Sequence, residues 1–400
     1  MNQRFILRGV VLAARPAAAK HDILVDREQI VAVGRVNSLN GAAVVDCDGL
    51  WAMPGCIDAH VHPIHNETFA STGQAAPYGG VTTILHHLYP NPGESDVHAV
   101  HRATAEARLA PADFGFHLRI TPDRLDADYA HLRHDGIGSV KVFLAHSNPA
   151  VQCSLGDLFE VMRESARANL TVLVHAEFGD VIAHSEGISA SADSLISFCG
   201  QRPPELEAAA VQAVCVIAGM VDCQVYIPHI SSAVALGEAQ RARQRGVRVL
   251  IETCPHYLFL TADTDLGGLG KVAPPLRSIS DVAELRRAVV SRTVDVVASD
   301  HCGYAPADKL PTDVSSSKNG LPGMELLLPL LLDAALTDSW IDTPDVVRVL
   351  ARGPARAFGL NQKGALAPGC DADLILFDPA ARWRVEQRLL HDRSFYSPYE

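Results

Sequence analysis

Between residues 54 and 302 the chain alternates two textures. Eight short apolar runs, many of them β-branched, recur in order: "GCIDAHVH", "VTTILHHL", "FGFHLRI", "SVKVFLAH", "TVLVHAE", "QVYIPHI", "VRVLIET" and "VDVVASD". Between them lie longer segments of helical pattern, among them "LGDLFEVMRESARAN", "PELEAAAVQAVCVIAG", "SAVALGEAQRARQRG" and "DVAELRRAVVSR". Strand-length runs alternating with helical segments predict eight strand–helix units, hence an α/β fold built on a (β/α)8 barrel. Residues 4 to about 50 instead read all-β, with "FILRGVVLAA", "HDILVDREQIVAVGRV" and "AAVVDCDG" separated by turn residues. After residue 362 the β texture returns in "KGALAPGCDADLILFDPAARWRV". The expectation is a barrel over residues 54–362 beside a small composite β domain from residues 1–53 and 363–400. Residues 363–400 supply fewer strands than such a domain normally needs, so the chain is expected to stop short of that domain's end.

Composition narrows the partners. The formal charge is −12 over 400 residues, with no basic cluster, which argues against a nucleic-acid partner. Nine scattered cysteines, with no Cys-x-x-Cys pair, read as reduced thiols in a cytoplasmic protein. Arg8 and Arg15 interrupt the N-terminal apolar run, against a signal peptide. The longest apolar stretch, "GMELLLPLLLDAAL", is too short and too broken to span a membrane.

Chemistry collects at the C-terminal ends of the predicted strands, where barrel enzymes place their active sites. The first ends in "HVH", and residues two apart on a strand share a face, so His60 and His62 point together with Asp58. With 18 histidines in 400 residues such a pair can arise by chance. It gains meaning from what shares its rim: Lys141 on the fourth strand, His175 on the fifth, His229 on the sixth and Asp300 on the eighth. Imidazoles with a carboxylate suit zinc and other borderline divalent ions. Four histidines exceed what one catalytic zinc uses, so two metals are expected. Lys141 is out of place beside cations. Its ammonium either points away or pairs with a carboxylate, or its amine is carboxylated and becomes an anionic bridge.

Taken in order, "PGCIDAHVH", "GGVTTILHH", "GSVKVFLAH", "HAE", "PHISS", "IETCPHYLFL", "KVAPPLR", "VASDHCGYAP", "NGLPGMELLLPLLL" and "KGALAPGCDADLILFDP" resemble the amidohydrolase superfamily. The likeness is to its cyclic-amide branch, the hydantoinases and dihydropyrimidinases, related to dihydroorotases and allantoinases. The resemblance implies two divalent ions, with zinc the first candidate. His60, His62 and Asp300 would hold one, His175 and His229 the other, and N6-carboxylated Lys141 would bridge them with hydroxide. It implies opening of a cyclic amide by attack of that hydroxide, with Asp300 moving the proton, in a homo-oligomer, dimer or tetramer, whose only small-molecule partner is the substrate. His256 and His301 would at most support the ligands.

The motifs depart from the hydantoinase pattern in ways that bear on the substrate. His146 stands where a tyrosine is usual, Ala273 where a serine is usual and His86 where an aspartate is usual. The loop after His62 looks short. His146, if protonated, could pair with an anionic ring substituent. Asn319 is a candidate for substrate amide contacts. Ile64 stands where dihydroorotases carry an arginine, which counts against that activity. A dihydroorotase or allantoinase is the alternative enzyme. A catalytically silent scaffold is the alternative from another class, though such relatives often lose metal ligands and all six positions are filled here.

Overall fold

The computed structural model describes residues 4–16, 19–37, 42–188, 192–310 and 314–400. Seven strands pair in parallel, each with the next: Cys56–His62, Val81–Leu88, Asp113–Arg119, Ser139–Phe143, Thr171–His175, Val225–Ile227 and Val249–Thr253. The eighth run is split. Val296–Val297 pairs with the seventh strand and His301–Cys302 pairs with the first, so residues 296–302 close the sheet on itself. The break between these two pieces contains Asp300, which takes a left-handed backbone at φ 50°.

The helices lie where the apolar periodicity puts them, and their starts are locally encoded. Ser154 before Leu155–Arg167 and Ser278 before Ile279–Val290 form capping boxes with Asp157 and Asp281. Ser232 caps Ala233–Gln244 by accepting from the Ala235 N–H. Inside the barrel, Ala59, Leu85, Leu173, Tyr226, Val296 and Ala298 form a dry layer with Ala357. Phe358 packs on His117 and Tyr226 and helps to floor the space above. Among the described residues no helix is long and apolar enough to cross a membrane.

A six-stranded sheet stands beside the barrel. It comprises Arg4–Leu12, His21–Asp26, Gln29–Gly34, Ala43–Asp46, Trp51–Pro54 and Leu374–Phe377. Leu374–Phe377 pairs antiparallel with Trp51–Pro54, which joins the two ends of the chain. Leu374–Phe377 is the strand that residues 363–400 contribute to this sheet. Residues 391–396 return to the barrel's C-terminal face. Glu325 accepts from the backbone N–H groups of His391 and Asp392, and Glu67 from that of Arg393, all at 2.6 Å. The Tyr396 hydroxyl donates to the Leu269 carbonyl.

Candidate metal centre

The first strand presents His60 and His62 to the barrel mouth, and Asp300 meets both. Asp300 Oδ1 lies 2.9 Å from His62 Nε2 and 3.1 Å from His60 Nε2, and those two nitrogens are 3.1 Å apart. Across the mouth, His175 Nδ1 and His229 Nε2 are also 3.1 Å apart. The two pairs adjoin, with His60 and His229 ring centroids 5.4 Å apart. Like Asp300, His229 has a left-handed backbone, at φ 42°. Such backbone costs about 1–3 kcal/mol per non-glycine residue and collects at functional sites.

The opposite nitrogen of three of these rings is already engaged. His60 Nδ1 donates to Glu252 Oε1 at 2.8 Å, and His175 Nε2 to Glu177 Oε2 at 2.8 Å. His62 Nδ1 meets the Tyr89 hydroxyl. The two carboxylate contacts fix the protons on the outer nitrogens and leave bare lone pairs on His60 Nε2 and His175 Nδ1, both turned inward. Facing lone pairs repel unless something positive sits between them, so this donor set fits divalent cations. Burial holds His60, His62 and His229 below the ordinary imidazole range, against the opposing pull of Asp300 at His62 and with Lys141 adding to the push at all three. Neutral imidazole is the form that binds metal.

Lys141 lies among them, fully buried, and its Nζ has no protein hydrogen-bond partner among the described residues. Burial lowers the amine to about 8, against the opposing pull of Asp300 and Glu252. Among the described residues nothing ion-pairs with it directly, and the Phe143 ring centroid lies 4.9 Å from Nζ. Burial thus weakens the ammonium without removing it, and leaves its charge without a direct protein partner among the described residues.

Several residues of the site were not singled out in the sequence. Glu252 is fully buried and joins three strands. It accepts from His60 Nδ1, from the His229 N–H at 2.9 Å and from the Tyr226 hydroxyl at 2.6 Å. Burial raises Glu177, but Arg202 and His175 outweigh it and bring that carboxyl to about 2. Glu207 accepts from Ser231 N–H, the Ser231 and Ser232 hydroxyls and Arg277, which braces the "HISS" turn behind His229. Asp58, which the sequence already placed on the face of His60 and His62, accepts from the Ser299 N–H at 3.0 Å and so ties the first strand to the eighth. His87 is buried against His60 and His62. A strand-end acid two residues past His175 was the available signal for Glu177, and one four residues before His256 for Glu252, but spacing alone does not distinguish either from an ordinary charge.

The remaining candidates lie farther out. His146 stands on the exposed rim, in edge contact with Phe143, which stacks on His175. Its Nδ1 accepts the Asn148 N–H at 2.9 Å, so the ring proton sits on Nε2. Crowding on its inner side, then the nearby His175, pushes it down to about 4. Both features favour a neutral ring, with Nε2–H as its donor, over the protonated form that pairing with an anionic substituent would need. Asn319 is half-buried, its Oδ1 without a protein partner among the described residues, and its carbonyl accepts from the Tyr304 hydroxyl. Ala273 is half-buried ahead of Pro274 and brings no polar side chain. Among the described residues no hydrogen bond or ring contact ties Asn319 or Ala273 to the histidines. His301 accepts from the Gly323 N–H and faces Glu67 at 3.7 Å, away from the lone pairs. His86 turns outward to Thr72.

The family model "Amidohydrolase family" matches residues 51–394. A D-hydantoinase of Ralstonia pickettii is 32% identical over 92% of this chain and 86% of its own length. An allantoinase of Rubrobacter xylanophilus is 34% identical over 89% of this chain and 81% of its own. The crystal structure of a dihydropyrimidinase from Brevibacillus agri superposes with a TM-score of 0.92 at 29% identity, covering 99% of this chain and 91% of that one. The match spans the barrel and both flanking β segments, and the chain belongs to the amidohydrolase family, in its cyclic-amide branch.

Proposed function

We propose that the protein opens a hydantoin- or dihydropyrimidine-type ring by hydrolysing a ring amide at a centre of two divalent ions. The observation that carries this is the inward lone pairs on His60 and His175, each braced from behind by a carboxylate, beside His62, His229, Asp300 and a Lys141 that has no protein hydrogen-bond partner among the described residues. His60, His62 and Asp300 would hold one ion, and His175 and His229 the other, with zinc the ion that best suits this donor set. Lys141 would bridge them after its amine adds to CO2 and loses a proton to solvent, which turns a misplaced base into an anionic ligand. The ions supply Lewis acidity towards a carbonyl oxygen and lower the pKa of water.

The chain's own groups do the rest. Asp300 Oδ1 stands at the junction of the two strand ends, where it can take a proton from the nucleophile and return it to the leaving ring nitrogen. His146 Nε2–H faces outward on the rim as a neutral donor for a substrate carbonyl. Asn319 Oδ1, which has no protein partner among the described residues, would accept from a ring N–H. The nine free thiols support a reducing, cytoplasmic setting. Exposed Val216 and Met220 on the helix Pro204–Met220 support a homo-oligomer.

The test is a hydrolysis screen of metal-loaded protein over hydantoins, dihydropyrimidines, dihydroorotate and allantoin. Ring opening of hydantoins or dihydropyrimidines, lost on chelation, is expected. Turnover of allantoin alone would move the assignment to the allantoinases. No turnover of any member by protein holding two ions would overturn the reading.

A further inference from the structure

The second barrel strand, Val81–Leu88, ends in adjacent histidines that leave on opposite faces. His86 turns out to the helix layer, where Thr72 and Phe69 meet it. His87 turns into the barrel and is fully buried. Its ring centroid is 4.5 Å from that of His60 and 4.5 Å from that of His62, nearly parallel to the latter at 12°. Neither of its ring nitrogens has a hydrogen-bond partner among the described residues.

A neutral imidazole carries one N–H and one lone pair. Burying both without protein partners is costly, and a phenylalanine would fill the same space with no polar atom to satisfy. Packing therefore does not account for a histidine here. Ligand nitrogens of His60, His62 and His87, one from each ring, lie within 4.8 Å of one another. Two nitrogens bound to one ion at about 2.0–2.1 Å stand at most about 4.2 Å apart, so a small inward turn of the rings brings all three onto one ion.

We propose that His87 is a third imidazole ligand of the ion assigned to His60, His62 and Asp300. The inference rests on the metal-centre reading above. It gives that ion a donor set richer in nitrogen than the ion at His175 and His229, and so makes the two sites unequal in affinity and in ligand field.

The test uses cobalt(II), whose visible spectrum reports coordination. Native protein and a His87→Phe variant are loaded with cobalt and titrated against a competing chelator. Supporting an imidazole ligand from behind is worth roughly 10–100-fold in affinity, and direct ligation should be worth no less. His87→Phe is therefore expected to weaken one of the two ions at least about tenfold, and to change its visible bands. His87→Cys, which needs less room and keeps a ligating atom, is expected to recover affinity and to add a thiolate-to-cobalt charge-transfer band absent from the native protein. Two ions of unchanged affinity and spectrum in His87→Phe, or no new band in His87→Cys, overturn the inference alone. A native chain that takes up no cobalt overturns it together with the metal-centre reading.

Discussion

Replacing Glu252 by glutamine separates what the carboxylate does for the fold from what it does for the ions. Three donors converge on this buried group: His60 Nδ1 and the His229 N–H on Oε1, and the Tyr226 hydroxyl on Oε2. A glutamine of the same shape can place its carbonyl oxygen at the Oε1 position and keep the first two. Its NH2 then faces Tyr226, whose hydroxyl can turn round and accept. All three contacts survive, each without charge. A charge-assisted bond is worth about 1.5–3 kcal/mol and a neutral one about 0.5–1.5, so the gross loss is about 1 kcal/mol per bond, or about 3 in total. Against this, the protein no longer buries a carboxylate, a relief of comparable size. Glu252→Gln should therefore leave the stability of the metal-free protein within about 1 kcal/mol of native. The ions respond differently. A carboxylate behind His60 makes its Nε2 more basic, and loss of such support typically costs roughly 10–100-fold in metal affinity, or about 1.4–2.8 kcal/mol. Denaturant midpoints of the chelated protein and chelator-competition titration of the loaded protein measure the two quantities. A variant that loses several kcal/mol without metal, yet binds both ions as tightly as native, would refute this reasoning.

Other substitutions follow from the same geometry. Lys141→Ala removes the bridging position and should lose most bound metal and turnover; full occupancy by elemental analysis with undiminished turnover would reject the bridge. Asp300→Asn keeps the shape but removes the basic oxygen, so kcat should collapse even where some metal remains, and an unchanged pH–rate profile would count against proton transfer by this residue. Arg277→Met leaves Glu207 buried without its cation and should destabilise the protein by about 3–5 kcal/mol, whereas adding Glu207→Leu should recover part of that, as a double-mutant cycle in urea would show. Removing metal with a chelator should lower the unfolding temperature, because ions that bind only the folded chain stabilise it by mass action; identical melting curves with and without metal would contradict a built site.

Much of the fold is legible because each local signal agrees with its neighbours. "LGDLFEVMRESARAN" carries both a helical period and a Ser154–Asp157 capping box, and it forms a helix over Leu155–Arg167. "VDVVASD" reads as one strand, but only Val296–Val297 of it is strand, and pairing resumes at His301–Cys302 after Asp300, whose backbone no strand keeps. Periodicity cannot register such a break. The candidate ligands are legible from their positions at strand ends. The residues behind them are not, since Glu252 earns its place through His60, 192 positions away in sequence. His87 was hidden by its neighbour: two adjacent histidines face opposite sides of a strand, and only the side-chain contacts reveal which one meets the centre. The state of His146 was not legible, because its Nδ1 is claimed by a backbone N–H two residues on, a turn that the sequence does not announce.

The segment 391–396 governs the direction from which a substrate can arrive. It is bonded to Glu67 after the first strand, to Leu269 after the seventh and to Glu325 after the eighth. Lys309 adds three bonds to the carbonyls of Lys271, Lys318 and Gly320, which tie the seventh and eighth loops to each other. That side of the mouth behaves as a fixed wall. Residues 146–150, after the fourth strand, are exposed and held by short-range bonds among His146, Asn148 and Gln152. Traffic into the barrel should therefore pass over His146, and ring substituents should trail out on that side. Amide hydrogen exchange offers the check: residues 146–150 should exchange early and slow when a ring compound binds, while the N–H groups of His391, Asp392 and Arg393 stay protected throughout. Early exchange at those three would place the doorway on the opposite wall.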